Sequence, residues 1–130
     1  MRKKVMAAVL TAAMVASVSA MPQMVAAADD EFKIGLITDV GGVNDGSFNQ
    51  SAWEGLEKAG EELGVEVNYL ESATDADYQP NMETFVDEDY DLIISVGYML
   101  ADATREAAEA NPDTKFAIID DSSIDLPNVT

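Results

Sequence analysis

Neither cysteine nor histidine occurs in the 130 residues. Without cysteine there is no disulfide, no thiolate nucleophile and no cysteine metal site, so the core must hold by packing alone. Without histidine there is no Ser-His triad and no imidazole ligand. The same lack of cysteine leads to the expectation of a protein free of any lipid anchor. Basic residues are scarce as well: seven Lys and Arg stand against 25 Asp and Glu. So negative a surface repels phosphate backbones and anionic lipid heads, which excludes nucleic acid as a natural partner. Most of these carboxylates are read as a solvated coat.

Three of the basic residues, Arg2, Lys3 and Lys4, precede the apolar run VMAAVLTAAMVASV and a small-residue stretch ending at Ala28. That order is the pattern of an export signal, and cleavage is expected after Ala28, with Ala20 as the second candidate. The apolar run is shorter than the roughly 20 residues of a membrane span. The expected domain, residues 29–130, keeps four basic and all 25 acidic residues, a net charge of −21.

Beyond the signal, short apolar runs alternate with amphipathic stretches. FKIGLIT (32–38), VEVNYL (65–70), DLIISVG (91–97) and KFAIID (115–120) read as strands, and LPNVT as the approach to a fifth. Between them, Ser47 is expected to cap a helix with Gln50 as its capping-box partner. Ala52, Leu56, Ala59 and Leu63 mark that helix's buried face, and Gly64 its end. Asp77 is expected to cap a second helix with Pro80 in its first turn, and a third spans MLADATREAAEA (99–110). The alternation predicts an α/β fold, a parallel sheet with helices on both faces. Ligands in such sheets bind beyond the carboxyl ends of the strands, where strand order reverses. The informative segments are therefore TDVGGVNDGSFN, SVGYM and DDSS.

The glycines of the first segment fit neither GxGxxG nor a P-loop, and Asp39 and Asp45 would repel a phosphate placed there. An uncharged ligand rich in N–H and O–H donors suits these carboxylates better. Phe48 either stacks on a planar ligand or packs at the edge of the core, and periodicity leaves both open. Asn49 contacts a ligand or satisfies the helix start. Gly97 allows close backbone approach, Tyr98 offers a second ring, and Asp120 or Asp121 can accept from hydroxyls. A phosphoacceptor receiver domain would need an aspartate ending the third strand, where Ser95-Val96-Gly97 stands. An exported enzyme using Asp39 and Asp45 as acid and base has nothing here to fix a substrate bond between them. A free-standing acidic domain that binds protein is the other alternative.

The segments KIGLITDVGGVNDGSFNQSAWEGLEKAGEELGVEVNYLES, DYDLIISVGYMLADA and KFAIIDDSSIDLPNV resemble the basic membrane protein family of ABC-transporter substrate-binding proteins, which includes purine nucleoside receptors. The resemblance implies the N-terminal lobe of a type I periplasmic-binding fold, whose second lobe lies beyond Thr130. It implies a binding protein and not an enzyme, a nucleoside ligand, a membrane permease as partner, no cofactor, and a monomer at full length. In that family's pattern Phe48 stacks on the base, Asp39 bonds the base and Asp120 the ribose. Asp45, Asn49, Gly97 and Tyr98 line the cleft. The expected location is outside the cytoplasmic membrane, reached through export and held there only by the permease.

Overall fold

The computed structural model describes residues 31–130; the expected export signal, residues 1–28, lies outside them. Four strands, β1 (Lys33–Ile37), β2 (Glu66–Leu70), β3 (Leu92–Val96) and β4 (Lys115–Ile119), pair in parallel in the order β2-β1-β3-β4. Three α-helices connect them: α1 (Phe48–Leu63), α2 (Tyr78–Asp87) and α3 (Ala101–Ala110). Parallel neighbours require crossovers, and each helix supplies one. The expected α/β architecture and element order are what the chain adopts. The approach to a fifth strand is visible as an isolated parallel bridge between Phe116 and Val129, with Phe116 N–H donating to Asn128 O and Ile118 N–H to Thr130 O.

The central strands β1 and β3 carry continuous apolar runs because both of their faces are covered. On one face Ile37, Ile93 and Phe116 pack against Met82 and Phe85 of α2 and Ala107 and Ala108 of α3. On the other, Ile34, Leu36 and Val96 pack against Leu56 of α1, with Ala52 and Trp53 beside it. Edge strand β2 is only partly covered, and Tyr69 there meets Trp53 edge-on at 4.7 Å between ring centroids. Each buried Leu, Ile or Phe contributes about 1.5–3 kcal/mol.

Three local expectations change. Leu63 is 72% exposed, because it is the last residue of α1 and lies past the end of the sheet's cover. Gly64 does end the helix, in the left-handed conformation at φ 69° with its N–H on Gly60 O. Asp77 does not cap α2: the chain enters through a 3₁₀ turn at Asp75–Asp77, and the Asp77 carboxylate reaches back to Thr74 N–H at 2.9 Å. The third helix starts at Ala101, after a second 3₁₀ turn at Tyr98–Leu100. No helix among the described residues is long and apolar enough to cross a membrane.

Gly35, in the middle of β1, sets how close α2 comes to the sheet. A Cβ built there would lie 2.7 Å from the Phe85 ring, which is itself buried. Gly55, on the exposed side of α1, has nothing within 4 Å of the same construction. Gly35→Ala should therefore lower stability by about 1–3 kcal/mol through overpacking. Gly55→Ala should raise it by about 0.5–1 kcal/mol through helix propensity. Urea unfolding of the two variants should move the midpoint in opposite directions.

Candidate functional site

Chain order reverses between β1 and β3: the chain leaves β1 for β2 on one side, then returns to β3 on the other. The loops after these strands diverge and leave a crevice at their carboxyl ends. Thr38, buried, ends the β1 run and bonds Leu70 O through its N–H. Asp39 follows at the rim. Its Oδ1 accepts from Gly41 N–H at 2.8 Å and from Asn49 Nδ2 at 2.7 Å. Its Oδ2 faces Gly97 across the switch point, 3.5 Å from where a Cβ on Gly97 would stand. Gly97 has φ 102°, a conformation side-chain-bearing residues rarely adopt, so β3 can turn there and keep the crevice open.

Asn49 is 1% exposed, and its side chain is fully engaged. Nδ2 donates to both Asp39 Oδ1 and Asp45 Oδ2, the latter at 2.9 Å, while Oδ1 accepts from Asp39 N–H at 3.3 Å. Asp45 in turn accepts the N–H groups of Ser47, Asn49 and Gln50 at the start of α1. This corrects the expected capping box. Ser47 makes no side-chain cap bond, and Gln50 accepts from Gly46 N–H instead. Asp45, two residues earlier, reaches the orphan amides because Gly46 at φ 66° folds the loop back over the helix start. Partial burial raises the Asp45 pKa, but the donors from Gln50, Ser47 and Asn49 outweigh it, and the carboxyl stays below its ordinary value.

Phe48 and Tyr98 are 57% and 64% exposed, and Val40 and Met99 stand exposed beside them. Four of the seven exposed large apolar side chains among the described residues thus fall between β1 and the start of α1 or just after β3, where single scattered residues would need no explanation but a rim does. An open pocket of about 500 Å³, a size suited to a small molecule, is lined by Phe48, Ala52, Ser47, Ser51 and Ile119. Ile119 is the last residue of β4, so Phe48 faces the strand end that leads into Asp120 and Asp121. Those two separate clearly. Asp121 is committed to a turn, accepting from Ser123 N–H at 2.8 Å and Ser123 Oγ at 2.7 Å. These bonds, with Arg105 nearby, hold its pKa below the usual value. Asp120 is exposed and held at φ 66°, a strained conformation for a non-glycine residue.

Of the expected residues, Asp39, Asp45, Asn49 and Gly97 come together in one cluster. Phe48 lines the pocket beside it, Asp120 follows the lining residue Ile119 in the chain, and Tyr98 stands on the rim. Asn49 and Asp45 are spent on internal bonds, and sequence periodicity held no sign of that. A recess of about 510 Å³ lies at the opposite, amino ends of the strands, lined by Glu31, Glu66, Asp89, Asp91 and Lys33, away from the switch point. Among the described residues no cluster of three potential metal ligands occurs.

Residues 32–129 match the family described as ABC transporter substrate-binding protein PnrA-like. The chain is 49% identical over 104 residues to the CD4+ T-cell-stimulating antigen of Listeria monocytogenes, covering 76% of this chain and 29% of that protein. It is 41% identical over 104 residues to the ABC transporter nucleoside-binding protein BmpA of Lactococcus lactis, covering 77% and 30%. Among solved structures, an ABC transporter system solute-binding protein from Aeropyrum pernix superposes with a TM-score of 0.69 at 32% identity, covering 75% and 27%. The chain therefore spans about three tenths of the length of these relatives.

One expectation is corrected by the same comparisons. Relatives from three Pyrococcus species are named lipoproteins, the one from Pyrococcus abyssi being 39% identical over 92 residues. The expected location without a lipid anchor does not stand. The absence of cysteine bears on the chemistry of these 130 residues and is no measure of how the family is held outside the membrane.

Two predictions follow from the Asn49 clamp. Asn49→Ala leaves two carboxylates without their shared donor and should cost about 1.5–3 kcal/mol in urea unfolding. The depressed Asp45 pKa stabilises the fold above the unfolded value of 3.8, and that contribution is lost as pH falls through the lower folded value. Asp45→Asn should thus show a shallower loss of stability below pH 3.8 than the parent protein in acid titrations followed by circular dichroism.

Proposed function

Because the chain belongs to the PnrA-like ABC transporter substrate-binding family, we propose that the whole protein binds a nucleoside, a purine nucleoside first, and delivers it to a membrane permease. The observation that carries this reading is the Asp39 carboxylate, fixed by Asn49 through one oxygen and free at the other, beside the exposed Phe48 ring. In this reading the base stacks on Phe48 and donates an N–H to Asp39 Oδ2. Asp120, free of the turn that occupies Asp121, accepts from the ribose hydroxyls. Gly97 lets the ligand approach the backbone of β3, and Tyr98 closes the rim. Asp45 and Asn49 act one step back, holding Asp39 in place. The protein is a binding protein, as its family is, and the arrangement asks for no bond to be made or broken.

The charges support a neutral ligand. Asp39 stands at the crevice with Asp45 behind it and Asp120 at the end of β4, and no lysine or arginine is among the site residues, so a phosphate there would meet only repulsion. The second wall of the cleft falls to the part of the receptor beyond this lobe, and residues 1–28 serve as its export signal.

Calorimetric titration of the whole protein with inosine, guanosine and adenosine should give heat of binding, with the corresponding 5′-monophosphates bound far more weakly. No heat with any nucleoside would end the proposal. Phe48→Ala should weaken binding by roughly 3- to 10-fold, the loss of one aromatic stacking contact; unchanged affinity would return Phe48 to a packing role.

A further inference from the structure

Tyr78 opens α2 with its ring in the core and its hydroxyl unpaired. The residue is 4% exposed and packs in the cluster that contains Ile37, the last residue of β1, with Leu70, the last residue of β2, against it. The ring therefore sits beneath the carboxyl ends of both strands, under the segment that leaves β1 for the candidate site. Its oxygen faces the Val40 N–H but falls outside hydrogen-bond geometry, and no other group among the described residues satisfies it. Burial first, then the charges of Asp39 and Asp75, push its pKa up, so the hydroxyl stays neutral.

The loop above is held on either side of Val40. Asp39 is held by Asn49, and the Gly41 and Gly42 amides fold back onto Asp39 Oδ1 and O. Between them Val40 is fixed by neither, and its side chain is exposed. The carbonyl edge of the Asp39–Val40 peptide is held, Asp39 O accepting from Thr38 Oγ1 and from Gly42 N–H, so its N–H edge is the part left without a partner among the described residues, and the Tyr78 oxygen is the acceptor that faces it.

We propose that Tyr78 is a positioning residue for the candidate site: its hydroxyl accepts the Val40 N–H as the β1–α1 loop settles, and so fixes the Asp39 carboxylate for its ligand. The contact is populated in part in the unliganded protein and completed when a ligand engages Asp39 Oδ2. The last step rests on the reading of Asp39 as the acceptor for a nucleoside; the contact itself does not.

Tyr78→Phe in the whole protein removes the oxygen and keeps the packed ring, so the fold is retained. Amide hydrogen exchange at Val40 should be about 3-fold faster in the unliganded variant, and inosine affinity about 5-fold weaker, while the thermal midpoint holds or rises because an unpaired buried hydroxyl has gone. A merely structural role would lower the midpoint and leave Val40 exchange and affinity alone. Unchanged Val40 exchange overturns the proposal whatever the ligand does. Faster exchange with unchanged affinity removes the positioning role. If the parent protein takes up no nucleoside while Val40 exchange still rises in the variant, the nucleoside reading falls and the Tyr78 contact stands.

Discussion

The buried amide of Asn49 is the interaction on which the site depends. It joins the end of β1 to the start of α1 across ten residues of sequence, and does so by giving its two N–H bonds to two carboxylates of like charge. Such a pair would ordinarily call for a cation. Past residue 28 the chain has only four basic residues, and Lys33, Lys58, Arg105 and Lys115 are engaged elsewhere or lie off the cluster. Amide hydrogens take the cation's place: Asn49 Nδ2, the Gly41 N–H and the first amides of α1 together stabilise both negative charges without neutralising them. The carboxylates thus remain acceptors, and Asp39 Oδ2 takes no hydrogen bond from the described residues.

This clamp works only because the sheet holds its two ends in register. Ile34 and Leu36 on one side and Ile37 on the other lock β1 between two apolar layers, so Asp39 leaves the strand at a fixed height. Gly35 lets Phe85 press against the sheet and brings α2, with Tyr78 at its head, under the same loop. The face carrying α1 is less completely covered. One helix spans four strands there, and Leu92, Ile94 and Ile119 stay half-buried toward β4. The Phe48 pocket opens at the corner where this thinner cover meets the carboxyl end of β4.

Much of the fold was legible because it rests on local rules. Apolar runs of four to seven residues bounded by glycine or proline marked the strands, and the Leu56 face and Gly64 stop marked α1. The parallel order followed from the alternation, and the order in turn pointed to the loops after β1, β3 and β4. What stayed hidden depends on approaches between distant residues. Ser47 looks like the cap because it sits at the right offset, yet the fold of the glycine loop brings Asp45 over the helix start. Asn49 reads as a ligand contact or a partner of the helix start, and its bridge between Asp39 and Asp45 shows only once the end of β1 is laid against it. Leu63 has the right period for the core but lies one turn past the sheet. Asp120 and Asp121 are indistinguishable as neighbours in sequence, and only the turn at Ser123 separates them.

The exposure of the aromatic rim bears on how the proposed cleft would act. A ring gains its full stacking energy only when solvent is excluded from both partners, and Phe48 and Tyr98 each remain more than half open. Asp39 Oδ2 faces the same open crevice, where water competes for it as an acceptor and weakens any hydrogen bond it makes. For a ligand bound as proposed, geometry is preset on this face while most of the affinity comes from excluding water, which takes a second surface brought over the first. In the proposed reading, an acidic, half-open platform that accepts from neutral donors and is completed by closure meets the demands of a receptor that must also let its ligand go.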